Sequence, residues 1–262
     1  MTTLYRPILL SAAIALLGAG GVPRTAIAQI SFSLPEVSAP GNREARARST
    51  CTEASGPALT AILPETNVGV TLQETPTLIV YIPRNNAQQG ELRITEADSE
   101  LDLTQTVELP PSIAPGDYQY GPALATIPLD TAIAPGKSYR WAFTLVCDPG
   151  DRSQDVAVSG TLLRAGDAYL GQLAPERHRA MSELMASEPS VSGADSDQIH
   201  GAADALQAYA DAGIWHDLIT HLIGLAKIDP SYTTELTRIF VAQGLGAIAD
   251  ANVVPLTLGP LR

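Results

Sequence analysis

Residues 138–163 read SYRWAFTLVCDPGDRSQDVAVSGTLL, and their pattern decides the fold. Tyr139, Trp141, Phe143, Leu145 and Cys147 occupy alternate positions. Strand side chains alternate between faces with a period of two, so these five predict one apolar strand face. Asp148-Pro149-Gly150-Asp151 follows. Proline presets φ and glycine accepts a positive φ, which makes this a turn. DVAVSGTLL then predicts the return strand. The three aspartates Asp148, Asp151 and Asp155 also invite a Ca²⁺ reading. A Ca²⁺ loop wants oxygen ligands at alternate positions and a distant Glu, whereas these spacings are three and four. A turn in a hairpin is the expectation.

Upstream, the same signals recur over residues 57–165. PALTAIL, VGVTL, PTLIVYIP, GELRITE, LDLTQTVELP and ALATIPL are short β-rich runs separated by Pro, Gly, Asn and Asp. No helical period interrupts them, so an antiparallel sandwich or barrel is predicted rather than a parallel sheet. IAPGKSYRW, from Ile133, resembles the corner of immunoglobulin-like sandwiches, with Ile133, Pro135, Gly136 and Tyr139 in its places. In that corner the Tyr hydroxyl bonds back to upstream backbone. Tyr139 lies eight residues before Cys147, farther than in antibody domains, so the resemblance concerns the sandwich and not the antibody topology.

Beyond residue 165 the period becomes helical. Pro175 opens a first helix running to about 186, and Asp195 with Gln198 makes a capping pair for a second. Ile199, Ala202, Ala203, Leu206, Tyr209 and Ala210 form the apolar face of that second helix, and Gly213 ends it. A third buries Trp215, Leu218, Ile219, Leu222 and Leu225. Asp229-Pro230 starts a fourth, with Tyr232, Leu236, Ile239 and Phe240 on one face. The middle pair resembles one tetratricopeptide-type hairpin through Tyr209, Gly213, Trp215, Leu222 and Pro230. Leu206 and Leu218 stand where that repeat has small residues, and a lone hairpin must dock on its neighbours.

Residues 1–28 predict a signal peptide: Arg6, an apolar run over 8–22, and the small-x-small site Ala26-Ile27-Ala28, with cleavage before Gln29. The apolar run is shorter than the roughly 20 residues a bilayer span needs, and no later stretch predicts a span. Of 262 residues, 16 are Lys or Arg and 28 Asp or Glu, a net charge of −12; losing Arg6 and Arg24 takes it to −14. Such a chain is repelled by nucleic acid. Residues 29–50, with Pro35, Pro40, Gly41 and a small run of Arg43, Arg46 and Arg48, predict a flexible linker. Cys51 and Cys147 are the two cysteines. In an exported chain they are expected to pair, worth roughly 4–5 kcal/mol in the chain-entropy model.

No catalytic, cofactor or metal site is predicted. Gly136-Lys137-Ser138 lacks the glycine that a phosphate loop requires at Thr131. The histidines are His178, His200, His216 and His221. His216 and His221 are five apart and so diverge by about 140° on a helix. His200 with Asp204, and Asp217 with His221, have helical spacing and are expected as solvated pairs on polar faces. No G-x-S-x-G elbow occurs. Paired carboxylates of glycoside chemistry are not readable from spacing. Trp141 and Phe143 are expected in the core, and Trp215 within the hairpin.

The phrases GNREAR, CTEASGPALTAILPETN, PTLIVYIP, PGKSYRWAFTLVCDPGDRS and YADAGIWHDLITHL resemble the cyanobacterial domain of unknown function 928, over about residues 41–248. That resemblance implies an exported or envelope-associated cyanobacterial protein and carries no activity or site residues. The expectation is therefore an α+β chain: signal peptide 1–28, linker 29–50, an antiparallel immunoglobulin-like sandwich 51–165 and a helical region 166–262. In function, a periplasmic or secreted module binding a protein or peptide partner leads. A hydrolase of cell-wall or glycan substrates and a periplasmic small-ligand sensor are the alternatives.

Overall fold

The computed structural model describes residues 29–45, 49–96, 101–112, 117–187 and 196–261, with backbone alone for 184–187, 196–202 and 261. Eight strands come first: β1 (Thr60–Ala61), β2 (Val68–Thr71), β3 (Thr77–Ile82), β4 (Gln89–Glu96), β5 (Asp102–Val107), β6 (Ala123–Pro128), β7 (Ser138–Val146) and β8 (Val156–Arg164). Helices α1 (Asp167–Leu170), α2 (Pro175–Ser187), α3 (Ser196–Ala212), α4 (Trp215–Ala226) and α5 (Ser231–Ala242) follow, then β9 (Val253–Pro255) and β10 (Leu258–Leu261). The ten strands form two sheets, ordered β1-β3-β6-β9 and β10-β5-β4-β7-β8-β2.

The β7–β8 hairpin sits inside the larger sheet, in register from Ser138↔Leu163 to Leu145↔Val156. Tyr139, Trp141, Phe143 and Leu145 are all buried, as their alternation predicts. The Tyr139 hydroxyl accepts the Ala134 N–H at 2.9 Å, and Gly136 takes φ +74° at the turn beneath it. Cys147 lies just past the end of β7 and is bonded to Cys51, with their Cα atoms 5.7 Å apart.

The all-antiparallel expectation fails at two pairings. β2 runs parallel to β8, and β6 parallel to β9. A parallel pair needs a long return connection. Here the intervening strands supply it for β2 and β8, and the helices carry the chain back for β9. Residues 166–262 are therefore not wholly helical, since they end in strands that extend both sheets. These runs are short and interrupted by Pro255, Gly259 and Pro260, so they carry little strand signal of their own. α1 was also not expected.

The linker expectation is corrected too. Ile30 is buried, and its N–H donates to Glu235 Oε1 at 2.6 Å. Phe32 meets Trp215 edge-on with ring centroids 4.9 Å apart. The Ser33 N–H donates to the Ala210 carbonyl, Asn42 bridges to Ser159, and Glu44 bridges to Thr60. Arg43 donates to the Leu63 carbonyl, while Arg46 and Arg48 lie outside the described residues. This strap lacks a hydrophobic period because its partners are distant helices and strands rather than its own neighbours. One continuous core runs from Leu78 and Trp141 in the sheets to Leu206, Trp215 and Phe240 in the helices.

Helix ends follow their local signals. α2 begins at Pro175, and Gly213, at φ +72°, stops α3. Asp229 Oδ1 accepts the Ser231 N–H at 2.9 Å where α5 starts. The expected cap at Asp195 lies outside the described residues.

Candidate functional site

α4 is the helix on which a site would be built, because it carries Trp215, His216, Asp217 and His221. Asp217 and His221 were expected on a solvated face. Instead eight of the twelve α4 residues are buried, His216 and Asp217 among them. The helix packs against α3 and α5 and also against β2 and β3. A helix enclosed on several sides gives water only part of its polar face, at Thr220 and His221, and helical periodicity cannot report how many neighbours a helix has.

The Asp217 carboxylate faces the end of β2. Oδ2 accepts the Leu72 N–H at 3.2 Å and Oδ1 accepts the Gln73 side-chain amide at 3.3 Å. The Thr71 hydroxyl also bonds this carboxyl. Burial pushes its pKa above the usual carboxylate range; the bonds from Thr71, Leu72 and Gln73, and the nearby His221, pull the other way. Its place in the first turn of α4 adds the favourable field of the helix N-terminus. Buried carboxylates need such partners, since an unpaired buried charge is costly.

His216 points into the interior beside Gly69 of β2. A Cβ on Gly69 would lie 2.1 Å from His216 Nε2, so only glycine leaves room for the ring. Neither ring nitrogen has a hydrogen-bond partner of good geometry, although the Thr77 backbone lies near enough to favour the charged form slightly. Burial dominates and lowers the imidazole pKa to about 4. His216 is thus a neutral packing residue at physiological pH.

His221 is half-buried. Its Nδ1 lies 2.7 Å from the Asp217 main-chain carbonyl. A carbonyl only accepts, so Nδ1 carries the proton of this bond. Tyr209 lies against this ring with centroids 5.3 Å apart. The Tyr209 hydroxyl is held protonated by burial and by the charge of Asp217.

Three further contacts tie helices to the rest of the chain. Trp215 Nε1–H donates to the Ile62 carbonyl at 2.8 Å. Gln243 Oε1 accepts the Glu65 N–H at 3.2 Å. Glu235 accepts the Ile30 N–H and pairs with Arg238, which also donates to the Ile30 carbonyl at 2.8 Å. None of Glu235, Gln243 or Gly69 was picked out from the sequence. A buried polar residue at a core position of α5 is the one signal that could have marked Glu235. The assembly is chemically a set of locks: Asp217, Trp215, Gln243 and Glu235 each bond a backbone group of another element.

The remaining candidates separate. In the β7–β8 turn, Asp148 Oδ1 accepts the Gly150 N–H at 2.8 Å and Asp151 Oδ1 accepts the Ser153 N–H at 3.0 Å. Asp155 accepts the Cys147 N–H at 3.1 Å and pairs with Arg152. The bond from Ser153 holds the Asp151 carboxyl below its ordinary value. Lys137 pairs with Glu96 at 3.0 Å. His178 is exposed on α2, and the His200 side chain lies outside the described residues. Among the described residues, no three His, Cys, Asp or Glu side chains gather as a metal site. No helix there is long and apolar enough to cross a membrane.

The surface carries shallow grooves. One of about 120 Å³ lies between Leu34, Tyr169, Arg177, Asp211 and Gly213, where the strap meets α3. Another of about 150 Å³ lies beside Ser49, Thr52 and Glu53. Neither is lined by His216, Asp217 or Glu235.

Residues 41–253 match the family model described as Domain of Unknown Function (DUF928). The chain belongs to the DUF928 family. The match takes in both sheets up to β9, the Cys51–Cys147 disulfide and all of α4. Outside it fall β10 and the strap residues that Glu235 and Arg238 hold. No curated protein and no solved structure matches the chain.

Proposed function

We propose that this DUF928 chain is an exported cell-envelope protein that binds a protein or peptide partner and does no chemistry on it. One observation carries the reading. The buried carboxylates Asp217 and Glu235 are engaged by backbone N–H groups of other elements and line neither of the two grooves described above. A glycan hydrolase needs two carboxyl groups on a shared cleft. A small-ligand sensor needs a pocket of roughly 300 Å³ or more. The groove at the strap–α3 junction, at about 120 Å³, is smaller.

Binding is supported by the strap. Leu34 and Val37 are 46% and 45% exposed, and Leu34 lines the junction groove. Large apolar side chains held in water beside a groove suit contact with another chain. We read the two sheets as an immunoglobulin-like sandwich, supported by the Tyr139–Ala134 bond, and α3–α4 as a tetratricopeptide-like hairpin, supported by the Gly213 stop. Export rests on the leader, with cleavage before Gln29, and the disulfide suits an oxidising compartment.

A photo-cross-linker at position 37 in the exported protein tests the reading. It should give one discrete protein adduct from the envelope, abolished by Leu34→Asp. Absence of an adduct, with turnover of cell-wall glycan by the purified mature chain, would replace binding by hydrolysis.

A further inference from the structure

The start of the expected mature chain is held by a clamp one residue in. Gln29 is exposed, whereas Ile30 is buried. Glu235 Oε1 takes the Ile30 N–H, and Arg238 takes the Ile30 carbonyl while pairing with the same Glu235 oxygen. Phe32 on Trp215 and Ser33 on Ala210 continue the attachment. Once the leader is cut after Ala26-Ile27-Ala28, Gln29 alone projects from this clamp and bears the new α-amino group.

We propose that Gln29 is a modification site, where the α-amino group closes on the residue's own side-chain amide to leave a five-membered lactam, 5-oxoproline, as the first residue. The proposal rests on the leader-cleavage reading above. In the step, the α-nitrogen lone pair attacks Cδ, the N–Cδ bond forms and the Cδ–Nε2 bond breaks. Nε2 departs as ammonia, taking a proton from the α-amine. No oxidant, reductant or second substrate is needed. An α-amino group ordinarily has a pKa of about 7.7–8, so part of it is neutral and nucleophilic near neutral pH.

The geometry permits closure without disturbing the fold. The ring is made of Gln29 atoms only, so the 29–30 peptide bond remains and the Ile30 N–H keeps its bond to Glu235. That Glu235 oxygen already carries the Ile30 N–H and Arg238. The product starts without a cation and without the free amine that aminopeptidases require.

Top-down mass spectrometry with amine labelling of the exported mature chain decides the matter. The expected species starts at residue 29, is lighter than residues 29–262 by one ammonia and takes no α-amine label. A chain starting at 29 with full mass and a labelled amine overturns the lactam. A start at another residue overturns the leader reading and, with it, the site. The chemistry is tested apart from export in the full chain given Gln29 as first residue by protease cleavage in vitro. Folded protein should lose ammonia within a few-fold of the rate of the free peptide QISFS, and Gln29→Ala should keep its label. Loss from the peptide with retention in the protein overturns the proposal, because Gln29 would then not stand clear of the clamp.

Discussion

In the β7–β8 turn, Asp148 and Asp151 each bond a backbone N–H two residues on, and Asp155 reaches back eight residues to Cys147. In α4, Asp217 bonds Leu72, 145 residues earlier in the chain. Both stretches group acids with other reactive side chains, yet the turn leaves Asp148 and Asp151 in water while α4 buries Asp217. The turn closes a structure that its own residues define. Asp217 closes a structure that exists only after the helices have docked. A local carboxylate bond shapes a loop; a distant one fastens two parts of the molecule together.

The contrast can be broken most severely at Gly69. Gly69→Ala drives a Cβ into His216 and to 2.9 Å from Leu63 Cδ2. Overpacking of this kind should cost about 3 kcal/mol, measured by the urea unfolding midpoint. Adding His216→Ala should recover part of the loss; strict additivity of the two changes would mean that the ring and Gly69 do not interact. Next comes Asp217→Ala, which leaves the Leu72 N–H and the Gln73 amide without their acceptor. A loss of about 2 kcal/mol is expected. Asp148→Asn, in the exposed turn, should leave the midpoint unmoved, and an equal loss at the two sites would erase the distinction between them.

The smallest effect is on pH dependence. The His216 pKa is lowered from 6.5 to about 4, so between those values the unfolded chain binds the proton more readily. Its stabilising contribution is full above pH 6.5 and is lost as pH falls towards 4. Asp217, raised by burial, acts in the opposite sense and gains stability as it takes up a proton. His216 alone should contribute a decline of about 2 kcal/mol between pH 7 and pH 4.5, which Asp217 offsets in part. His216→Leu should flatten it, and an unchanged slope would remove His216 as the cause.

Much of the architecture was legible along the chain. All eight strands of residues 57–165 and the four longer helices lie where period and punctuation predict them. The corner bond of Tyr139 and the aspartate turn follow from spacings of a few residues. The strap was missed because Ile30, Phe32 and Ser33 find partners in α5, α4 and α3, about 180–205 residues away. The candidate site was misread in part for the same reason: the apolar stripe of α4 was identified, but Asp217 on the opposite face was assigned to water when the end of β2 covers it, and only His221 stays partly exposed.

By itself, then, the sequence determined the strand and helix segments, the turn that engages Asp148 and Asp151, and the pairing of its two cysteines. Each depends on neighbours at fixed short spacing, or on there being a single partner to choose. Tertiary structure alone decided the parallel pairings of β2 with β8 and β6 with β9, and the clamp of Glu235 and Arg238 on Ile30. It also decided the burial of His216 and Asp217. These depend on which surfaces meet, and whether a polar face is solvated or locked depends on what packs against it.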